Sequence, residues 1–230
     1  MNNQGYEWLN QEYPGLKIGE GEVSGEIEFV ASYDEERGQF TLFSQAPSGT
    51  HPGIVLSGSF KIRIRGGIDP AVQKLPFLYV EDVDHSPDRH FNQADFSACV
   101  CSPLETDEFL APYFDFRRYL EELVIPFLYG QLFFDIYGRW PWPDYAHGAT
   151  GLLESYFRNN SNKTTECINA LSQDKSWSKI RAALIRDNEL KGHMPCFCSK
   201  ADHIRRCHPD AWRGLRKLHN DMKTTKANLP

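Results

Sequence analysis

Alternation of apolar and polar residues over the first 80 positions is the feature that most restricts the fold. Residues 22–34 place their apolar side chains on one alternating face, which consists of Val23, Ile27, Phe29, Ala31 and Tyr33. Residues 39–44, 54–65 and 75–80 repeat this pattern, with Pro and Gly turns between them. A period of two is typical of a β-strand with one buried face. We therefore expect an antiparallel β-meander.

The periodicity changes further along the chain. Residues 105–137 carry apolar side chains at spacings of three and four, which is helical, and Pro112 and Pro126 mark a start or a kink. Shorter amphipathic helices are predicted at residues 148–157, 164–171 and 177–188. Strands followed by helices indicate an α+β fold.

Charge is distributed unevenly within the net value of −6. Residues 1–174 hold 12 Lys and Arg against 26 Asp and Glu, whereas residues 175–230 hold 13 against 5. The acidic body argues against nucleic acid as the main substrate. Two interpretations of the basic tail stay open, since it either is solvated or docks on an acidic partner, which would be a protein or nucleic acid.

The expected compartment is the cytoplasm. The N-terminus lacks the cationic and apolar regions of a signal peptide, and no run approaches the roughly 18 apolar residues of a membrane span. Six cysteines form two close clusters and a singleton, Cys167, which is expected to pack in the core. In a cytosolic chain, clustered cysteines indicate metal binding or catalysis before disulfides.

The C-terminal cluster has the spacing of a metal site. Cys196 and Cys198 form a C-x-C pair, and Cys207 with His208 follows after eight residues. Three thiolates and an imidazole are a preferred ligand set of tetrahedral structural zinc, Zn2+. The polar loop between the two pairs needs such an ion to hold it. The nearby His193 and His203 are expected to be exposed rather than ligands.

This spacing resembles the SEC-C motif, the short zinc-binding tail of SecA and many bacterial proteins. The resemblance covers about residues 192–210, and all four ligands are in register. The loop differs, because Phe197 stands where the family usually has Pro, and Ser199, Lys200 and Ala201 stand where it has a Gly-Ser-Gly turn. The resemblance implies a small zinc knuckle that contacts or targets proteins.

The other cluster lies in residues 89–101, between the predicted sheet and the long helix. Cys99 ends a polar, irregular segment, so its thiol is expected to be partly exposed, as a nucleophile requires. Asn92, seven residues earlier, could donate a hydrogen bond to a developing oxyanion. Asp88 and Asp95 are expected to be solvated.

Here the chain resembles ubiquitin-conjugating enzymes, and more closely their bacterial relatives in ubiquitin-like conjugation operons. The resemblance spans about residues 5–160 and rests on two motifs. In the first, His90-Phe91-Asn92 replaces His-Pro-Asn and Cys99-Val100 replaces Cys-Leu. The second is the His-Gly, Gly and Glu-Tyr pattern of residues 147–156. Phe91 instead of Pro, and an Asn closer to the cysteine, are departures.

The resemblance implies a conjugating fold, an antiparallel β-meander with flanking helices. It also implies that Cys99 accepts a ubiquitin-like protein as a thioester from a ubiquitin-activating-like enzyme and passes it to an amine of a target protein. Asn92 and His90 would assist, and His147 is a further candidate catalytic residue. Related bacterial operons serve antiphage defence. The expected domains are residues 1–160 for conjugation, 161–191 for a helical linker and 192–230 for the zinc tail.

Four alternatives remain open from the sequence. Cys101 is a competing nucleophile, although the aliphatic residue after Cys99 favours Cys99. Cys99 and Cys101 with two nearby histidines could instead hold a second zinc ion. The whole chain could also be a non-catalytic binding module of the same fold, or a zinc- or redox-responsive protein.

Overall fold

A computed structural model describes residues 6–67, 69, 71–186, 190–198, 200, 202–227 and 229–230. The chain divides into two compact units. The N-terminal unit runs to Cys101 and resumes over Thr106–Pro143, and the C-terminal unit comprises Ser102–Glu105 and Asp144–Pro230. This places residues 144–160 with the C-terminal helices, whereas the expected domain boundary follows residue 160. That functional boundary stays a prediction.

The N-terminal unit contains an antiparallel sheet that matches the predicted alternation closely. A short helix, α1 (Glu7–Glu12), precedes it. The strands are β1 (Leu16–Ile18), β2 (Glu22–Asp34), β3 (Gln39–Phe43), β4 (Ile54–Arg65) and β5 (Phe77–Val80). The alternating face predicted for β2 is buried at Val23, Ile27, Phe29, Ala31 and Tyr33, so that part of the prediction is confirmed.

The order of the strands differs from a simple meander. β4 pairs with β2, not with β3, from Glu22↔Arg65 to Tyr33↔Ile54. β1 and β3 share the other edge of β2. The physical reason is length, since β2 has 13 residues, β4 has 12 and β3 has only 5. Only β4 can satisfy the backbone groups of β2 along its whole length.

Helices cover the buried face of the sheet. They are α2 (Thr106–Leu110), α3 (Phe116–Tyr119), a π-helical turn (Leu120–Val124) and α4 (Ile125–Tyr137). Pro126 lies in the first turn of α4, directly after the π-helical turn. Proline has no N–H for an intrahelical bond, and a locally wider turn accommodates it. The sequence predicts that Pro126 marks a start or a kink, and Pro126 lies where α4 starts. The core includes Leu120, Val124 and Leu128.

The C-terminal unit is helical around a core of its own. Its helices are α5 (Gly148–Arg158), α6 (Thr164–Ser172), α7 (Trp177–Leu184), α8 (Ile204–Cys207) and α9 (Pro209–Thr225). The predicted helix over residues 177–188 ends at Leu184, and Asn188 lies outside the described residues. Cys167 is fully buried, as expected. Over the described residues, no helix is long and apolar enough to cross a lipid bilayer.

Helix α9 belongs to the same core as α5 rather than to a detached tail. Its residues Ala211, Leu215 and Leu218 are fully buried together with Leu153 of α5. The two helices approach closely at Gly214, where a Cβ would stand 1.9 Å from the carbonyl oxygen of Leu153. A side chain at position 214 is therefore incompatible with this packing.

Candidate thiol site and candidate metal centre

A closed turn presents Cys99 at the end of residues 91–98. Phe91 and Ala98 form an isolated antiparallel bridge, and the N–H of Asn92 donates to the carbonyl oxygen of Ser97 at 2.9 Å. The N–H of Cys99 donates to the carbonyl oxygen of His90 at 2.8 Å. The turn is tied to the sheet because the N–H of Ala98 donates to the carbonyl oxygen of Leu78 in β5, also at 2.8 Å.

Cys99 is exposed, as the sequence predicts, and its side chain contacts Asn92. Sγ donates to Oδ1 of Asn92 at 3.1 Å. The other end of that amide, Nδ2, donates to Oγ of Ser97 at 3.0 Å. Ser97 in turn donates to Oδ1 of Asp95 from both its hydroxyl, at 2.8 Å, and its backbone N–H, at 3.0 Å. Four side chains are thus linked by hydrogen bonds, with the thiol of Cys99 at one end and the carboxylate of Asp95 at the other.

Three influences act on the Cys99 thiol. Cys99 is exposed as a whole residue, but neighbouring atoms shield its sulfur from water, and this desolvation raises the pKa above the ordinary value. The hydrogen bond with Asn92 lowers the pKa, and the negative charge of Asp95 raises it. The net effect is a raised pKa, so the thiol is protonated at neutral pH. Asp95 stays ionised, because hydrogen bonds from the backbone N–H and hydroxyl of Ser97 hold its pKa below the ordinary value.

Phe91, which replaces the proline of the resembled motif, anchors the turn in the core. Only 3% of its surface is exposed. Its ring packs edge to face on the rings of Phe127 in α4 and of His85, with centroid distances of 5.5 Å and 4.6 Å. Aromatic packing thus fixes the residue before Asn92 in place of the restricted proline backbone.

His90 contacts Cys99 through its main chain. The residue adopts a left-handed conformation with φ of 59°, and its imidazole packs against the ring of Trp140 at 4.8 Å. The indole N–H of Trp140 donates to the carbonyl oxygen of Asp88, two residues before His90, at 3.2 Å. The packing of the His90 ring therefore helps to orient its own carbonyl, which accepts from the N–H of Cys99. A catalytic role for the imidazole stays a prediction.

The competing thiol, Cys101, lies in a different environment. It is half-buried and packs against the core of the N-terminal unit, whereas Cys99 is exposed. Of the two thiols, Cys99 is therefore the more accessible to a reagent. Ser97, which links Asn92 to Asp95 by hydrogen bonds, is the residue of this site that the sequence analysis does not identify. Only 1% of its surface is exposed. Its signal is the Asp95-x-Ser97 spacing, which commonly forms a local side-chain turn.

His147 belongs to the C-terminal unit and occupies the N-cap position of α5. Its side chain is exposed and makes no capping hydrogen bond. The cap is supplied by Asp174, whose Oδ2 accepts from the N–H of Ala149 at 2.9 Å and whose Oδ1 accepts from Ser176 at 2.7 Å. A catalytic role for His147 stays a prediction.

The predicted metal ligands do meet. Among the described residues, the only group of at least three His, Cys, Asp or Glu side chains that could hold a metal ion is Cys196, Cys198, Cys207 and His208. Their donor atoms lie within 4.8 Å of one another. Nδ1 of His208 is 3.2 Å from Sγ of Cys196, and the sulfurs of Cys198 and Cys207 are 3.5 Å apart. No comparable group includes Cys99 or Cys101 in the part of the chain that is described.

Backbone hydrogen bonds shape this centre on two short segments. Pro195 and His203 form an isolated bridge, and the N–H of Cys196 donates to the carbonyl oxygen of Asp202 at 2.9 Å. Cys207 ends α8 and His208 is the N-cap residue of α9, so both face the first pair. His193 and His203 are exposed and outside the donor group, whereas Ser199 and Ala201 lie outside the described residues.

The donor spacing fits a single tetrahedral ion. Bonds of about 2.3 Å to sulfur place the donors of a tetrahedral site roughly 3.8 Å apart. The observed separations of 3.2 and 3.5 Å and the upper bound of 4.8 Å bracket that value. Burial also raises the pKa of Cys196, so a bound cation would be needed to hold that buried sulfur as thiolate.

Comparisons with protein-family models, with curated proteins and with solved structures each gave no match. The interpretation of both sites therefore depends on their own geometry and on the motifs in the sequence.

Proposed function

We propose that this protein is a ubiquitin-conjugating-type acyl transferase whose nucleophile is Cys99. The observation that carries the proposal is an exposed thiol 3.1 Å from the side-chain amide of Asn92, at the exit of a turn anchored to both sheet and helix. The sheet adds little support, because its strand order departs from the meander of the resembled enzymes. The thiol site supports the proposal independently of that order.

The reaction consists of two acyl transfers. Cys99 loses its proton, and the thiolate attacks the thioester carbonyl that joins a ubiquitin-like protein to its activating enzyme. A new C–S bond forms to Cys99 as the C–S bond to the activating enzyme breaks, and the departing thiolate takes up a proton. An amine of the target protein then attacks the Cys99 thioester. The C–N bond forms, the amine loses a proton, and Cys99 leaves as a thiolate.

Each tetrahedral intermediate carries a negative oxygen beside Cys99. An amide N–H of Asn92 would stabilise this oxyanion, and one such donor is typically worth about 3 kcal/mol. The raised pKa of Cys99 leaves little thiolate for the first transfer at neutral pH, and it makes the sulfur a poorer leaving group in the second. Stabilising the oxyanion is therefore most valuable when the amine attacks.

The metal centre is proposed to hold zinc in a structural role. Three thiolates and one imidazole suit Zn2+, and four protein donors leave no position open for a substrate. The ion would join the segment of Cys196 and Cys198 to the junction between α8 and α9. The resemblance to SEC-C tails suggests that this region contacts partner proteins.

The test needs an activating enzyme and a ubiquitin-like protein, which are to be sought among the products of the neighbouring genes. The protein is incubated with both and ATP, and a thiol-sensitive adduct is sought on a non-reducing gel and by intact mass. We expect an adduct that Cys99→Ser removes or converts to a stable oxyester, and that Cys101→Ser retains. An adduct lost only in Cys101→Ser would move the nucleophile to Cys101. If the wild-type protein forms no adduct with the ubiquitin-like protein, the result would favour the non-catalytic binding module.

A further inference from the structure

Both ends of the Asn92 side-chain amide make hydrogen bonds. The end that faces the Cys99 sulfur is the oxygen, which cannot donate to an oxyanion. Oδ1 accepts the thiol proton of Cys99 at 3.1 Å, and Nδ2 donates to Ser97 at 3.0 Å. This orientation serves a protonated thiol. A negative oxygen next to Cys99 needs an N–H donor, and the carbonyl end of the amide would repel it.

Loss of the thiol proton removes the reason for this orientation. A thiolate or thioester sulfur has no hydrogen to donate, so Oδ1 of Asn92 loses its partner at Cys99. Half a turn about the Cβ–Cγ bond exchanges Oδ1 with Nδ2, and this bond has broad, nearly two-fold rotational preferences. The exchange places Nδ2 beside the acyl group and Oδ1 beside Ser97.

The hydroxyl of Ser97 suits both orientations, because it can donate one hydrogen bond and accept others. It now accepts from Nδ2 and donates to Asp95 at 2.8 Å. After the exchange it can donate to Oδ1 of Asn92 instead. Asp95 keeps a partner in that state, because the backbone N–H of Ser97 also donates to its Oδ1, at 3.0 Å.

Water cannot easily replace this hydroxyl. Ser97 is 1% exposed, and the backbone bond from Asn92 N–H to Ser97 O, at 2.9 Å, fixes the separation of the two residues. We infer that Ser97 is a positioning residue that allows the Asn92 amide to reverse and to donate to the oxyanion at Cys99. This inference rests on the proposed function of Cys99 and adds the residue that governs its oxyanion donor.

The experiment compares two small reagents on the full-length protein. p-Nitrophenyl acetate acylates a thiol through a tetrahedral oxyanion, whereas iodoacetamide alkylates it without one. Modification of Cys99 is followed by peptide mass spectrometry at fixed pH in the wild type, Ser97→Ala, Ser97→Thr, Asn92→Ala and the Ser97→Ala/Asn92→Ala double variant. Neither reagent requires the ubiquitin-like protein, so a failure of the proposed function would be seen separately, in the adduct assay.

We expect Ser97→Ala to slow acylation of Cys99 by about ten-fold, a part of the 10²- to 10³-fold loss typical of removing an oxyanion donor. Alkylation should change by less than about two-fold, because no oxyanion forms in that reaction. Ser97→Thr should restore acylation, and the double variant should be no slower than Asn92→Ala. Equal slowing with both reagents, unchanged acylation in Ser97→Ala or Asn92→Ala, or multiplying losses in the double variant would each overturn the inference.

Discussion

Gln131 and Arg89 exchange hydrogen bonds in both directions. Nε2 of Gln131 donates to the carbonyl oxygen of Arg89 at 2.8 Å, and Nη1 of Arg89 donates to the carbonyl oxygen of Gln131 at 3.1 Å. Gln131 lies on α4 with 1% of its surface exposed, and Arg89 directly precedes the His90-Phe91-Asn92 segment. The pair therefore ties the chain leading into the thiol site to the helix behind it.

Gln131→Ala should destabilise the protein by about 2 kcal/mol, since it leaves the carbonyl of Arg89 without its buried donor. The expected readout is a lower midpoint of urea denaturation. Gln73→Ala is the matched control, because Gln73 is exposed in a loop and should change stability little. Equal midpoints for Gln131→Ala and the wild type would show that the pair does not support the fold.

Asp95→Asn should lower the pKa of Cys99. The negative charge of Asp95 is one of the influences that raise it, and Asn keeps an oxygen that can accept from Ser97. A lower pKa means more thiolate at any pH below it, so Cys99 should react faster with iodoacetamide at neutral pH. The rates should converge at alkaline pH, where both thiols are ionised. Asp88→Asn is the control, and a slower neutral rate in Asp95→Asn would contradict the prediction.

The strand assignments were readable from the sequence, whereas the strand order was not. The alternating faces of β2 and β4 fix each strand, and both begin and end where the sequence predicts. The order depends on which strands match in length, because pairing is decided over the whole sheet. β1 was missed because its three residues are too few to show a period.

The candidate metal ligands were predicted from their spacing, since four Cys and His residues in two close pairs have few other uses. Helix α9 was missed although its signal was present. Pro209 starts it, and Ala211, Leu215 and Leu218 recur at helical spacing. The Asp95-x-Ser97 spacing indicates only a local turn, whereas the importance of Ser97 comes from its burial and its hydrogen bonds to Asn92 and Asp95.

The purified protein should carry about one zinc ion per chain, in line with a closed four-ligand site. Cys207→Ser should lose more than half of it during dialysis against a weak chelator and should melt at a lower temperature, because binding energy contributes to folding. Removing the chain after residue 192 is a poor test, since α9 supplies core residues such as Leu215. Metal analysis compares Cys207→Ser with Cys101→Ser, and equal zinc contents would place the ion elsewhere.

The last prediction separates the two residues at the start of α5. Asp174→Ala should destabilise the protein by about 1 kcal/mol, the usual cost of losing a helix cap. His147→Ala should change stability by less than about 0.5 kcal/mol, because the residue is exposed. Gly148 lies against the same cap. Its φ is 63°, and a Cβ at this position would stand 2.7 Å from Oδ2 of Asp174.

Thermal denaturation and the adduct assay are therefore read together for these variants. If His147 assists catalysis, His147→Ala keeps the wild-type melting temperature while thioester formation or discharge slows and the pH–rate profile changes. If His147 only supports the fold, its melting temperature falls as far as that of Asp174→Ala and the rates recover on cooling. Unchanged melting with unchanged rates would remove His147 from the catalytic residues.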